Sequence, residues 1–366
     1  MRLSPDRPLR LDAARRVLLV KPSALGDVVH ALPVLATLHA RYPNIAFDWL
    51  VEEEAAGIVL GHPALADAVV SGRRRWLRML RTGEAGAAVK EARGFMARLR
   101  SRRYDAVCDL QGLLKSALYA VSTGAPVRVG LRDAREGARF AMTHVVSTPP
   151  QPVHAVDRYL ALAAALDAPD RRRDFTIAVD AGAESRAETL LRGLPAIRVA
   201  VHPFARWDTK LWEADRWRAV TATFASRGYG VVVTGGAGEA DAAAVLAQGL
   251  PAVRSLAGQL SIKELAAVLA RVALLVTLDS GPMHVAGAMG TPVVALFGPT
   301  DPKRTGPIGP ATVIRRPLAC SPCLSRRCQI PETRRCMRDI GVAEIVAAAR
   351  DWVEGEKSQG VPCAGS

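Results

Sequence analysis

The densest chemistry in this sequence lies in TLDSGPMHVAGAMGTPVVALFGPTD, residues 277–301. A short apolar run, Val272 to Leu278, ends in Asp279-Ser280-Gly281, and Pro282 then opens a run of small residues that stops at Gly290. That order reads as a buried strand, a tight turn and a helix, since proline suits a first helical position and glycine a last one. A second apolar run, Val293 to Phe297, leads into Gly298-Pro299-Thr300-Asp301. Two glycine-bearing turns therefore lie side by side, one of them at a helix N-terminus. Free N–H groups and the positive helix end suit an anion there, most often a phosphate. Gly281 would let backbone approach the ligand, Asp279 would accept from sugar hydroxyls, and His284 would face the same place one turn into the helix. The same spacing also fits an ordinary strand–turn–helix crossover in which Asp279-Ser280-Gly281 is only a cap.

Further candidates stand at turns of the same kind. Val17 to Val20 is a short buried strand, after which KPSALGDVVHALPVLATLHARYP makes a turn at Gly26 with Asp27 at a helix start. Val28, Leu32, Leu35 and Leu38 give that helix its apolar face, and Pro43 stops it. Phe47 to Val51 is the next strand and ends in Glu52-Glu53-Glu54. This βαβ opening implies a parallel sheet with a ligand crevice at the carboxyl ends of its strands, where Asp27 lies. The spaced glycines of a dinucleotide fingerprint are missing, so NAD is not expected. Arg73-Arg74-Arg75-Trp76 is a compact cationic cluster ahead of a helix over 88–103. Tyr104 to Leu110 is a strand that turns at Gln111-Gly112-Leu113 into a helix carrying Lys115 and Ser116, and Val127 to Gly130 is another.

The second half repeats the alternation. Arg198 to His202 leads into PFARWDTKLWEADRW, which holds Lys210, and Tyr229 to Thr234 leads into Gly235-Gly236-Ala237-Gly238-Glu239. Ser261 and Glu264 form a capping box for a helix over 261–270, and Val342 to Glu354 is a final helix. Residues 1–15 read as a loose extension, and Pro-rich, charged segments at 147–153 and 167–174 flank a helix starting near His154. The boundary is expected between about 168 and 195. We assign 1–180 and 181–345 to two doubly wound α/β domains facing across a cleft, and 346–366 to a helix end and tail.

Composition narrows the partners. At 366 residues the chain exceeds one typical core, and 49% hydrophobic residues exclude disorder. The longest charge-free span, Ser280 to Thr300, contains four glycines and three prolines, so it is no membrane helix. No apolar core follows Arg2, Arg7 and Arg10 in the manner of a signal peptide, which implies a cytoplasmic protein. The net charge of +14 is concentrated in two segments: 71–103, with eleven Lys/Arg against Glu84 and Glu91, and 315–338, with seven Arg against Glu332. Such clustering suits an anionic docking surface, whether nucleic acid, acidic lipid or a phosphorylated glycolipid. With 5% aromatic residues and no RNP, zinc-finger or helix-turn-helix signature, nucleic acid is not expected. Of six cysteines, Cys108 and Cys363 read as incidental. Cys320, Cys323, Cys328 and Cys336 point to free thiols or a tetrahedral zinc before disulfides.

Taken in order, VLLVKPSALGDVVHALP, FDWLVEE, RRRW, YDAVCDLQGLLKSAL, HPFARWDTKLW, GGAGE and LDSGPMHVAGAMGTPVVALFGPTDP resemble the glycosyltransferase family 9 heptosyltransferases over about residues 16 to 350. The resemblance implies a GT-B fold, an ADP-heptose donor and an inverting transfer with no metal ion or other cofactor. FDWLVEE, RRRW and QGLLKSA are most similar to the members that add the first heptose to the Kdo sugar of Kdo2-lipid A, which implies work at the cytoplasmic face of the inner membrane. Another family member, with a different nucleotide sugar or acceptor, is the alternative. By position, Asp27 matches the family's catalytic aspartate, Lys210 the lysine at the donor phosphates and Glu239 the acid at the adenosine ribose. Asp279, Ser280, Gly281 and His284 match the segment around the diphosphate and heptose, and Arg73, Arg74 and Arg75 fall where acceptor phosphates bind.

Overall fold

The computed structural model describes residues 1–4, 7–330 and 333–355. The chain divides into two units, one ending at Ala178 and one beginning at Val179. Each is built around a parallel sheet, which the sequence dictates through short runs of aliphatic residues buried on both faces.

In the first unit the strands are β1 (Arg2–Leu3), β2 (Arg16–Val20), β3 (Ala46–Glu52), β4 (Asp67–Ser71), β5 (Ala106–Asp109), β6 (Val127–Leu131) and β7 (His144–Val146). They lie in the order β1-β7-β6-β5-β2-β3-β4, every pairing parallel. After the edge strand β1, the chain enters near the middle at β2, builds outward through β3 and β4, then returns to add β5, β6 and β7 on the other side. The direction reverses between β2 and β5, and a doubly wound sheet takes its ligand at that switch point, beyond the strand ends.

The second unit repeats the plan with β8 (Arg198–His202), β9 (Gly230–Val233), β10 (Val253–Ser255), β11 (Leu274–Leu278), β12 (Val293–Phe297) and β13 (Ala311–Arg315). Their order is β10-β9-β8-β11-β12-β13, again parallel throughout, with the switch point between β8 and β11. Every residue of β11 and β12 is buried. The final helix, Val342–Val353, sends Ile345, Val346 and Ala349 into this unit's core, so it belongs with the sheet rather than with a tail.

Three local expectations are revised. Residues 1–15 are not simply loose: Arg2 and Leu3 form β1 on the edge beside β7, and Leu3 and Leu11 are buried. Arg73 to Trp76 stand ahead of the expected helix but are themselves helical, beginning a separate helix, Arg73–Arg81, whose Trp76 is drawn into a core with Phe95 and Tyr119. The helix expected over 88–103 starts earlier and spans Ala85–Ser101. Among the described residues no helix is long and apolar enough to cross a membrane. Cys363 lies outside the described residues.

Candidate active site

In the first unit, helix Leu25–Arg41 leaves the end of β2 and carries Asp27 in its first turn. Asp27 is not the N-cap; Ala24 holds that position and donates its N–H to Asp27 Oδ2 at 3.3 Å. The carboxylate is 40% exposed, while Lys21 beneath it is 2% exposed with Nζ 3.9 Å from Oδ2. Burial works to raise the Asp27 pKa, but Lys21, His30, the Ala24 N–H and Arg158 outweigh it and hold the carboxyl below its ordinary value. Burial likewise pulls on Lys21, yet Asp27 and Tyr159 keep its ammonium above the usual lysine value. Lys21 also lies over the Tyr159 ring, 5.0 Å from its centre. The result is an ionised carboxylate with an open face and a fixed counter-charge behind it.

The end of β5 completes this switch point. Gln111 Oε1 accepts from the Ser23 N–H at 3.3 Å, and Asp109 accepts from the Gln111 and Gly112 N–H groups and from Ser116 Oγ, shaping the turn. Helix Leu114–Ser122 then places Lys115, whose Nζ donates to Ser23 Oγ at 2.7 Å and to Glu52 Oε1 at 2.9 Å. Glu52 is buried and also accepts from Arg73 Nε at 2.7 Å. Burial favours its neutral form, but Arg73 and Lys115 hold it ionised, below the usual glutamate value.

The structure thus sets the acidic triplet against the arginine cluster: Arg73 bonds Glu52, Arg74 bonds Glu54, and Arg75 stands 3.5 Å from Glu53 and 2.9 Å from Glu91. The three do not share one binding face. Arg73 and Arg74 line a hollow of about 390 Å³ with Leu77, Arg78 and Arg81. Arg75 lines another, of about 530 Å³, floored by Trp76 and Phe95 and rimmed by Lys90, Glu91 and Arg98.

In the second unit the turns after β8 and β11 meet. Lys210 Nζ donates to Asp279 Oδ2 at 2.7 Å and to the Asp279 carbonyl at 3.1 Å. Thr300, from the turn after β12, donates to the same Oδ2 at 2.6 Å. One oxygen of the Asp279 carboxylate is therefore committed to orienting the lysine, in addition to any hydroxyl it was expected to accept. Lys210 and Arg326 both lie over the Trp207 ring, 4.9 and 5.3 Å from its centre. Helix Gly281–Ala288 starts at this point, with Ser280 as an N-cap whose side chain makes no capping bond and Pro282 in the first turn. His284 follows it, buried. Glu239 ends a one-turn 3₁₀ segment after β9, and its Oε2 accepts from the Gly236 N–H at 2.6 Å.

One buried group here escaped the sequence reading. His202 closes β8, and its Nδ1 stands 3.1 Å from Thr234 Oγ1. Burial pushes its pKa down to about 4, so the imidazole is neutral at physiological pH. Lys21 escaped as well, and Glu52 and Lys115, though noted in their segments, were given no role, although each ends or follows an apolar run at the same strand ends as Asp27.

The four clustered cysteines line a cavity of about 190 Å³ with Thr209 and Pro299. All four are free thiols, and among the described residues no group of three His, Cys, Asp or Glu is placed to hold a metal ion. Hydrogen bonds from the Arg334 and Ile330 N–H groups draw the Cys328 thiol below its ordinary value, and burial pushes Cys336 up.

Two switch points, one bearing an open, ionised carboxylate and the other a lysine beside a helix N-terminus, carry groups of the kind that group transfer needs. A family model described as glycosyltransferase family 9 (heptosyltransferase) matches residues 92–333. The chain belongs to glycosyltransferase family 9. It is 37% identical over 329 residues to lipopolysaccharide heptosyltransferase 1 of Pseudomonas aeruginosa, an alignment covering 87% of this chain and 88% of that one. The Escherichia coli K12 protein of the same name is 32% identical over 312 residues, 82% of this chain and 93% of the relative. Among solved structures, E. coli heptosyltransferase WaaC with ADP superposes with a TM-score of 0.70 at 32% identity, covering 82% of this chain and 93% of that chain. The glycosyltransferase therefore has the GT-B class of fold, two Rossmann-like units each with its own parallel sheet.

Proposed function

We propose that this glycosyltransferase moves a heptose from ADP-heptose to the Kdo region of lipid A, with inversion at the anomeric carbon, during synthesis of the lipopolysaccharide inner core. The observation that carries the reading is the 37% identity to a lipopolysaccharide heptosyltransferase 1 across 87% of the chain. The relative solved with ADP supports a nucleoside diphosphate as the donor's carrier.

In this reading Asp27 is the general base. The acceptor hydroxyl oxygen attacks the anomeric carbon, its proton passes to the Asp27 carboxylate, and the bond from that carbon to the diphosphate oxygen breaks with its electron pair leaving on ADP. A single displacement inverts the centre. The charge on departing ADP is met by Lys210 and by the N-terminus of helix Gly281–Ala288, which suit an anion without a metal ion. Asp279 orients Lys210, Ser280 and Gly281 border the diphosphate, His284 stands by the heptose, and Glu239 receives the ribose hydroxyls. Arg73, Arg74 and Arg75 attract acceptor phosphates. Because the acceptor is a lipid, the enzyme works as a peripheral protein at the cytoplasmic face of the inner membrane.

The test is direct. Purified protein is incubated with ADP-heptose and either Kdo2-lipid A or the same acceptor already carrying one heptose, and products are read by mass spectrometry. Addition of one heptose to Kdo2-lipid A alone is the expected result. Addition only to the heptosylated acceptor would assign a later step, and transfer from another nucleotide sugar would reassign the donor.

A further inference from the structure

Helix Leu114–Ser122 sends Lys115 toward Ser23 and Glu52, but its other side is unusual for a protein surface. Leu114, Leu118 and Val121 are 52%, 56% and 49% exposed, and their i, i+4, i+7 spacing puts them on one face. The neighbouring turn Ala138–Ala141, which packs against this helix, holds Phe140 at 80% exposure, the most exposed large apolar side chain among the described residues. Cations predominate around the stripe, although Glu136 accepts from the Leu114 N–H at its start. Arg139 covers the Phe140 ring at 4.7 Å, and a Cβ at Gly124, just past the helix end, would lie 3.6 Å from the Arg100 guanidinium. Helix Ala85–Ser101, packed alongside, exposes Lys90, Arg93, Arg98 and Arg100 against one exposed acid, Glu91.

From this juxtaposition we infer that the face formed by helix Leu114–Ser122, the Phe140 turn and the basic side of helix Ala85–Ser101 docks on an anionic lipid bilayer. An aliphatic and aromatic stripe rimmed by arginines sinks to the boundary between headgroups and acyl chains while the arginines meet lipid phosphates. A second copy of the chain is a poor occupant, because it would set one arginine-rich face against another. Single-stranded nucleic acid needs exposed aromatic platforms, and leucines and a valine offer it no stacking surface. The stripe begins one residue from Lys115, so docking here presents a membrane-embedded acceptor to the Asp27 end of the sheet. The inference rests on the lipid-acceptor reading above but adds a surface that the sugar chemistry does not require.

The full-length protein is floated with vesicles of phosphatidylethanolamine and phosphatidylglycerol, and separately with phosphatidylcholine alone. Binding to the anionic vesicles is expected, weakening as salt rises. Leu118→Ser combined with Phe140→Ser should lower that binding at least tenfold, while transfer to an acceptor stripped of its acyl chains continues at the wild-type rate. The apolar pair Leu118→Met and Phe140→Leu should retain binding, which separates insertion from a general surface disturbance. Wild-type protein that stays off anionic vesicles, or a serine pair that floats like wild type, overturns the inference. Flotation without any heptose transfer would refute the functional reading and leave the docking surface standing.

Discussion

At the scale of single residues, the proposed chemistry depends on how Asp27 is held. Its pKa lies below the ordinary aspartate value of 3.8, so it is charged throughout the neutral range and loses its proton-accepting form only as pH falls through that lowered value. The acid limb of kcat/KM should accordingly lie below the usual carboxylate range. Asp27→Asn keeps the size but cannot take a proton, and kcat should fall by roughly 10²–10⁴-fold. ADP affinity by calorimetry should be unchanged, since the groups assigned to the nucleotide sit in the other unit. Transfer within a few-fold of wild type would leave Asp27 as a helix-turn residue only. Lys21→Met tests the counter-charge. With an ammonium 3.9 Å away removed, burial is left unopposed by its main counter-charge and the acid limb should move to higher pH. An unmoved limb would mean that Lys21 does not set the charge state of Asp27.

At the scale of elements, the proposed donor site depends on where helix Gly281–Ala288 begins. Gly287 locks it in place: a Cβ there would run into the carbonyl oxygen and side chain of Ile308, itself buried. Gly287→Ala should therefore cost about 1–3 kcal/mol through overpacking and weaken ADP binding as the first turn shifts. Thermal melting and calorimetry read the two effects, and an unchanged melt would show that the contact relaxes freely. The arginine helix makes a different prediction. Arg74 and Arg75 line separate hollows, so Arg74→Ala and Arg75→Ala should each raise the acceptor KM, by about tenfold for one lost charge-assisted contact, and combine additively. Donor KM should stay constant in both. Strongly non-additive effects would mean that one phosphate is gripped by the pair.

At the scale of the whole molecule, the chain is two sheets joined through an exposed, charged connection. Asp170 to Asp174 are all exposed, and Arg171 and Arg172 offer trypsin its points of entry. Brief digestion should release two fragments that differ in ligand binding, with ADP retained by the C-terminal one. Lys210, Glu239 and helix Gly281–Ala288 all lie within it. ADP retention by the N-terminal fragment would move the donor site to the other sheet.

The strand–turn–helix rhythm, and with it the places where Asp27, Lys210, Glu239 and Asp279 occur, was written locally, because aliphatic runs, glycine turns and helix caps act within a few residues of themselves. The edge strands β1, β4, β10 and β13 left no comparable signal, since edges mix polar residues with apolar ones and only a neighbour defines them. Partner choice was beyond the sequence for the same reason. Lys210 finds Asp279 across 69 residues, and Glu52 collects Arg73 and Lys115 from 21 and 63 residues away. Those meetings follow from sheet order, which sets β8 against β11, β3 against β4, and β2 between β3 and β5. The motifs supplied charges of both signs at the strand ends. Which carboxylate stays exposed and which is consumed in positioning a lysine was decided only when the strands were laid side by side.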